Sequence, residues 1–388
     1  MCVHCNFYLA ELSVTSVIEI FVSLDLVNSP FLCVDVFMLR RDMATEGGRH
    51  LANGHTKTVL TVAATNSPDV QLISGAETGE LAVWSVDGAC LHQWQIAGAD
   101  GDATSVACSN ICHDLFYVAC GVKIYCYDLR NLSSYFNSYN FNEDEINEIS
   151  LNEKETFLAA ADDSDNIKVI NLTDSTVFKT LRKHTNICSA VRFRPHWPRE
   201  LLSGGYDSKL IQWDVSKSRA YCIMDMREMG CIPDELDCYL VNPPFVHSIA
   251  VSTTGNTVAV GTENALVHLF DASKKTLQLQ HTLCAHTRGV SQVYCPMFAP
   301  DKFVVSGGND GRICVWDVEC SSPGTVAGNG CTSSVGQSAS SSDVASSLVY
   351  EIMHTEKVNW ITCATNTNRN YIVVGDNTPN PVLYPFPE

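Results

Sequence analysis

His184-Thr185-Asn186-Ile187-Cys188-Ser189-Ala190-Val191-Arg192-Phe193, then Glu200-Leu201-Leu202-Ser203-Gly204, then Lys209-Leu210-Ile211-Gln212-Trp213-Asp214, is the stretch that decides the fold. Residues 189–193 alternate apolar and polar with period two, the signature of a half-buried strand. Residues 200–204 and 209–213 are short apolar runs, read as buried strands between polar turns. The pattern recurs. Glu80-Leu81-Ala82-Val83-Trp84-Ser85 and Arg312-Ile313-Cys314-Val315-Trp316-Asp317 close two further copies. Each follows a Ser-Gly pair (Ser74-Gly75, Ser306-Gly307) and lies 29 or 30 residues after a His-Thr pair (His55-Thr56, His286-Thr287). Weaker copies end at Tyr127-Asp128, Ile170-Asn171, Phe270-Asp271 and Tyr384. Trp84, Tyr127, Ile170 and Trp213 stand 43 residues apart, and the next steps are 57, 46 and 68.

The long steps coincide with two insertions. Residues 222–246 carry Cys, acid and Pro. Residues 321–347 hold ten Ser and four Gly, which reads as a flexible solvated tract. With both set aside, the chain after Met43 divides into seven copies of about 44 residues, the length of a four-stranded propeller blade. Residues 1–42 are expected to lie outside the repeat, as a disordered extension or an alternative start ahead of Met43. They contain no window of about 20 uncharged apolar residues, so a membrane span is not expected. Cys2-x-x-Cys5 with His4 offers half a zinc site without a second ligand pair nearby, so no metal is expected there.

Composition narrows the function. Asp and Glu number 43 against 25 Lys and Arg, a net charge of −18, and hydrophobic residues make up 45%. A large core is affordable, while a nucleic-acid surface and an anionic-membrane surface are disfavoured. The 18 cysteines are fewer than one residue in twenty, and most sit singly in strand-like runs. That usage fits buried free thiols in a reducing compartment, cytoplasmic and/or nuclear.

The His to Trp-Asp spacing, with Ser-Gly and Asp before the last strand, closely resembles the WD-repeat propellers over residues 50–388. The resemblance implies an all-β, seven-bladed ring, monomeric and without cofactor. It implies a structural tetrad in copy four, His184, Ser203, Asp207 and Trp213, and another in copy six, His286, Ser306, Asp310 and Trp316. Identical sets in separate copies argue against a single active site, so no catalysis is expected. Copy one has Thr78 at the Asp position, copy three has Ser164 beside Asp163, and copy five has Asn264 there with Phe270 for Trp. In the family's phase a repeat begins with the outer strand of the preceding blade. Residues 49–52 are therefore expected to pair with the last copy and close the ring.

Two features suggest binding. Tyr127-Asp128-Leu129-Arg130 resembles the Trp-Asp-x-Arg signature of receptors that dock on the DNA-damage-binding adaptor of cullin-4 ubiquitin ligases. Arg130 would present a planar, permanently charged fork on the face opposite the His and Asp loops. Asp225-Met226-Arg227 imitates the motif but falls in an insertion. Residues 143–165 hold nine acidic side chains, a rim for a basic peptide or simply a solvated acidic surface. The reading is a non-catalytic interaction scaffold, most concretely a candidate ligase substrate receptor. The alternative is a peptide- or histone-binding scaffold in chromatin or complex assembly.

Overall fold

The computed structural model describes residues 47–67, 71–85, 87–229, 242–318, 347–366 and 369–387. The expected extension 1–42, with its Cys-x-x-Cys, and nearly all of 321–347 lie outside the described residues. Twenty-eight strands form seven four-stranded antiparallel sheets. After β1 (Arg49–His50), blade one comprises β2 (Val59–Ala64), β3 (Leu72–Ala76), β4 (Glu80–Trp84) and β5 (Cys90–Gln95). Blade two comprises β6 (Ala103–Cys108), β7 (Leu115–Cys120), β8 (Lys123–Asp128) and β9 (Asn137–Tyr139). Blade three has β10 (Ile146–Leu151), β11 (Phe157–Asp162), β12 (Asn166–Asn171) and β13 (Thr176–Arg182). Blade four has β14 (Cys188–Phe193), β15 (Glu200–Gly205), β16 (Lys209–Asp214) and β17 (Arg219–Asp225). Blade five has β18 (Val246–Val251), β19 (Thr257–Thr262), β20 (Leu266–Asp271) and β21 (Gln278–Cys284). Blade six has β22 (Val290–Tyr294), β23 (Phe303–Gly308), β24 (Arg312–Asp317) and β25 (Leu348–Met353). Blade seven takes β26 (Val358–Asn366), β27 (Arg369–Asp376) and β28 (Val382–Pro385) from the C-terminal end.

The fourth strand of blade seven is β1. Arg49 pairs with Leu383 and His50 with Val382, and the Leu51 amide donates to Pro381 O at 2.8 Å. The first strand of every blade packs against that of the next, and β26 against β2, so the ring is closed. Closure of this kind leaves blade seven with the same four strands as its neighbours and removes a free edge.

Second and third strands are buried on both faces, which is why their sequences read as continuous apolar runs. All six residues of β15 and of β19 are buried. Outer strands face water, and β13 has one buried residue in seven. The core consists of apolar clusters between adjacent blades. Ile73, Leu81 and Val83 of blade one meet Val118 and Tyr125 of blade two. Val169 of blade three meets Val191 and Trp213 of blade four. The second residue of the Ser-Gly pair sits at this junction. A Cβ on Gly204 would lie 2.2 Å from Val246 Cγ1, and one on Gly307 2.4 Å from Ile361 Cδ1. Glycine there lets the next blade approach.

One sequence boundary shifts. The insertion placed at 222–246 begins later, because residues 222–225 complete β17 and Met226–Glu228 form a single 3-10 turn. Residues 348–353 form the outer strand of blade six, in keeping with the one-strand offset between sequence repeat and blade.

Candidate functional site

The His-bearing links between blades and the turns after second strands lie on one face of the ring. The turns after first and third strands lie on the other. In blade four, Trp213 Nε1 donates to Ser203 Oγ at 2.8 Å. His184 Nε2 lies 2.8 Å from the same oxygen, and His184 Nδ1 lies 3.0 Å from Asp207 Oδ1. Blade six repeats this: Trp316 to Ser306 at 2.9 Å, His286 to Ser306 at 2.8 Å and His286 to Asp310 at 3.2 Å. Each chain joins two strands, the link between blades and one turn, satisfying buried polar atoms that would otherwise be costly. Burial alone would raise the carboxyls of Asp207 and Asp310, but the His partners and backbone amides hold both below the ordinary value.

Blade one keeps His55, Ser74 and Trp84, with contacts of 2.6 and 2.8 Å. Glu80 stands in for the missing Asp, accepting from the Thr56 amide at 2.8 Å and lying 3.8 Å from His55 Nδ1. Burial pushes His55 down to about 4 despite Glu80. Blade seven has a chain that the sequence reading missed, in which His354 bridges Asp376 at 2.9 Å and Tyr384 Oη at 2.8 Å without a serine. In blade three Asn142 donates to buried Asp162 at 2.8 Å. Blade five packs Phe270, fully buried, where others have Trp. These groups organise blades rather than a reaction centre. Among the described residues no three His, Cys, Asp or Glu side chains are grouped to hold a metal ion.

Tyr127 is buried and stacks on Phe116 with ring centroids 5.4 Å apart. Asp128 ends β8 on the face opposite the His links. Its Oδ1 accepts from the Arg130 amide at 2.9 Å and from Arg130 Nε at 2.8 Å, with Arg130 Nη2 on Oδ2. Asp114 adds a 3.6 Å ion-pair contact, and the Arg130 side chain is 69% exposed. Residues 127–130 therefore form one rigid turn with a guanidinium on its tip. Asp225 and Arg227 build the same turn, with contacts of 3.0 and 2.8 Å. That second turn follows β17 instead of lying within an insertion, so Arg227 occupies the His face.

The acidic stretch 143–165 does not form one patch. β10 and β11 carry it through the blade and back. Glu148 is buried, 2.6 Å from Arg192 and accepting from the Val191 amide at 2.7 Å, and burial raises it to about 7. Glu155 receives the Asn110 amide at 2.6 Å on the Arg130 face, where Glu153 pairs with His196 at 3.1 Å. Glu145 remains on the His face with Asp102, Asp163 and Asp144. Its carboxyl is raised, first by burial and then by those three charges.

Eleven cysteines are free among the described residues, and burial pushes the thiols of Cys108, Cys120, Cys126 and Cys295 up to about 12. These four are inert fillers. Among the described residues no helix is long and apolar enough to cross a membrane.

Seven four-stranded blades joined as a ring, with the Trp–Ser–His–Asp chain repeated in blades four and six, define the class by fold: a seven-bladed β-propeller whose repeats are similar to the WD repeats. The model of the WD domain, G-beta repeat matches residues 277–317, which contain His286, Ser306, Asp310 and Trp316. The chain is similar to the WD repeat-containing protein 53 homolog of Dictyostelium discoideum, 27% identical over 350 residues, covering 83% of this chain and 90% of that one. It is also similar to periodic tryptophan protein 2 of Arabidopsis thaliana, 28% identical over 185 residues, covering 47% of this chain but only 18% of that protein. A propeller with such repeats points to a scaffold for protein partners.

Proposed function

We propose that this propeller is a substrate receptor that docks on the DNA-damage-binding adaptor of a cullin-4 ligase through Arg130 and holds its target on the other face. The observation carrying this reading is the exposed Arg130 guanidinium, fixed by Asp128 at the end of a third strand. A planar donor held in one orientation binds an acceptor surface at low entropic cost. The receptor works in the reducing cytoplasm and/or nucleus. Arg130→Ala removes the guanidinium and leaves the buried Tyr127 untouched, so co-purification of the adaptor falls to background while the melting temperature holds. Arg227→Ala is the comparison, with the same local turn on the opposite face. Equal loss from both variants, or none from Arg130→Ala, would rule out docking through this turn.

A second reading, a scaffold for basic peptides such as histone tails, is favoured by Asp102, Asp144, Glu145 and Asp163 clustered on the His face. Binding of a lysine-rich peptide that survives Arg130→Ala but not Asp102→Asn with Glu145→Gln would support it. Binding indifferent to those acids would count against it.

A further inference from the structure

The Arg130 face carries a second feature, between blades four and five. The turns after β14, β16 and β20 enclose a cavity of about 540 Å³, within the size range of ligand sites. Its walls include Trp197, Arg199, Lys217, Arg219, Tyr221 and Lys275. Glu200 and Asp214 also line it but are paired with Arg194 and Lys217, so in a chain of net charge −18 this is a local concentration of cations. Lys217 pairs with Asp214 at 3.6 Å, whereas Arg199, Arg219 and Lys275 have no ion-pair partner among the described residues.

The side chains behind the walls Trp197, Glu200 and Tyr221 are prearranged. Arg194, whose side chain is fully buried, donates through Nη1 to Glu200 at 2.9 Å and through Nε to Gly255 O at 2.8 Å. Its guanidinium lies 4.4 Å from the Trp197 ring centre, yet its Nη2 is buried without a hydrogen-bond partner. Gln212 joins the two blades: its Nε2 donates to Glu200 at 2.9 Å and lies 3.3 Å from Tyr221 Oη and 3.4 Å from Lys275 O. Lys275 Nζ stands 5.8 Å from the Tyr221 ring centre, and Trp197 is 37% exposed. The result is an aromatic wall, held in place from behind by Arg194 and Gln212, beside three unpaired cations.

We infer that this cavity binds an acidic segment of a partner protein, with carboxylates on Arg199, Arg219 and Lys275 and an apolar side chain against Trp197 and Tyr221. Charge complementarity singles out this occupant. The protein as a whole repels acidic chains, so attraction to one must be local. The site is separate from Arg130 and stands whether or not the adaptor docks there.

The test uses the full chain and a fluorescein-labelled peptide, Asp-Glu-Leu-Glu-Asp, read by anisotropy at low and physiological salt. The expected result is saturable binding that is lost when Asn and Gln replace its acids. Arg219→Glu with Lys275→Glu should weaken it at least tenfold. Lys57→Glu, the same kind of charge reversal on an exposed link of blade one on the opposite face, should leave it unchanged. Trp197→Ala should weaken it with no change in melting temperature. If a charge reversal disturbs folding, Arg219→Gln with Lys275→Gln replaces it, and a loss of at least threefold is expected. Equal loss from Lys57→Glu, indifference to the peptide's charge, or no saturable binding overturns the proposal.

Discussion

Trp316 shows how much one side chain carries. It fills the space between blades five and six and donates the proton that starts the chain through Ser306 to His286. Trp316→Ala should cost about 3–5 kcal/mol, typical of emptying a buried large aromatic site, and denaturant titration measures it. An unchanged midpoint would mean that the ring is not part of the core. Acid sensitivity resides in single histidines too. His268 is fully buried, its Nε2 has no partner, and burial lowers it to about 4. Because its folded value lies below the unfolded 6.5, the stability it confers is present above 6.5 and drains away as pH falls toward 4. Glu148, raised to about 7, has the opposite sign: its contribution weakens as pH rises toward 7. His268→Leu should therefore flatten the stability loss between pH 7 and 5. An unchanged slope in denaturant midpoints would show that His268 does not stay neutral in the folded ring.

At the scale of elements, the recurrence that matters most is invisible in any one strand. Near the start of the first strand, a side chain donates to the opening carbonyl of the next blade's first strand. Thr104 reaches Ile146 O at 2.5 Å, Asn147 reaches Cys188 O at 3.2 Å and Ser189 reaches Val246 O at 2.5 Å. Ser291 reaches Val358 O at 2.6 Å, and Asn359 reaches Val59 O at 3.1 Å across the closure. Thr, Asn and Ser serve equally because the acceptor is backbone, so no residue type marks the position. The Trp–Ser–His spacing, by contrast, was legible, since bonds across paired strands fix both register and residue type. The chain His354–Asp376–Tyr384 escaped because Tyr reaches His directly and the Ser-Gly marker is dispensable. The acid stretch misled because closeness in sequence says nothing about faces when strands run between them. Gly204→Val tests blade packing: the added side chain collides with Val246, and overpacking of this kind costs about 1–3 kcal/mol. Gly47→Ala, where a Cβ meets nothing within 4 Å, is the neutral comparison in thermal melts.

For the molecule as a whole, closure depends on very few residues. Leu51, immediately after β1, is buried among Trp84, Val373 and Leu383, joining blades one and seven. A carboxylate there would be both desolvated and unpaired. Leu51→Asp should thus lower the melting temperature of the entire ring in one transition. The same change at Leu279, 42% exposed on an outer strand, should be nearly silent. Separate melting of blade seven alone would show that the blades are not cooperative.

The pairing of Arg49 with Leu383 also sets a timetable for biosynthesis. A ribosome adding about 5–20 residues each second needs on the order of tens of seconds to travel from one partner to the other. Throughout that interval six blades can assemble, yet β1 has nothing to pair with. When the last strands emerge they complete blade seven only if β1 is still free. A nascent chain that another polypeptide has captured by that strand would be released as an open arc, with its final edge bare. Chaperone demand for this protein should therefore peak late in translation, and a stall just before residue 382 should be more hazardous than one at any earlier blade.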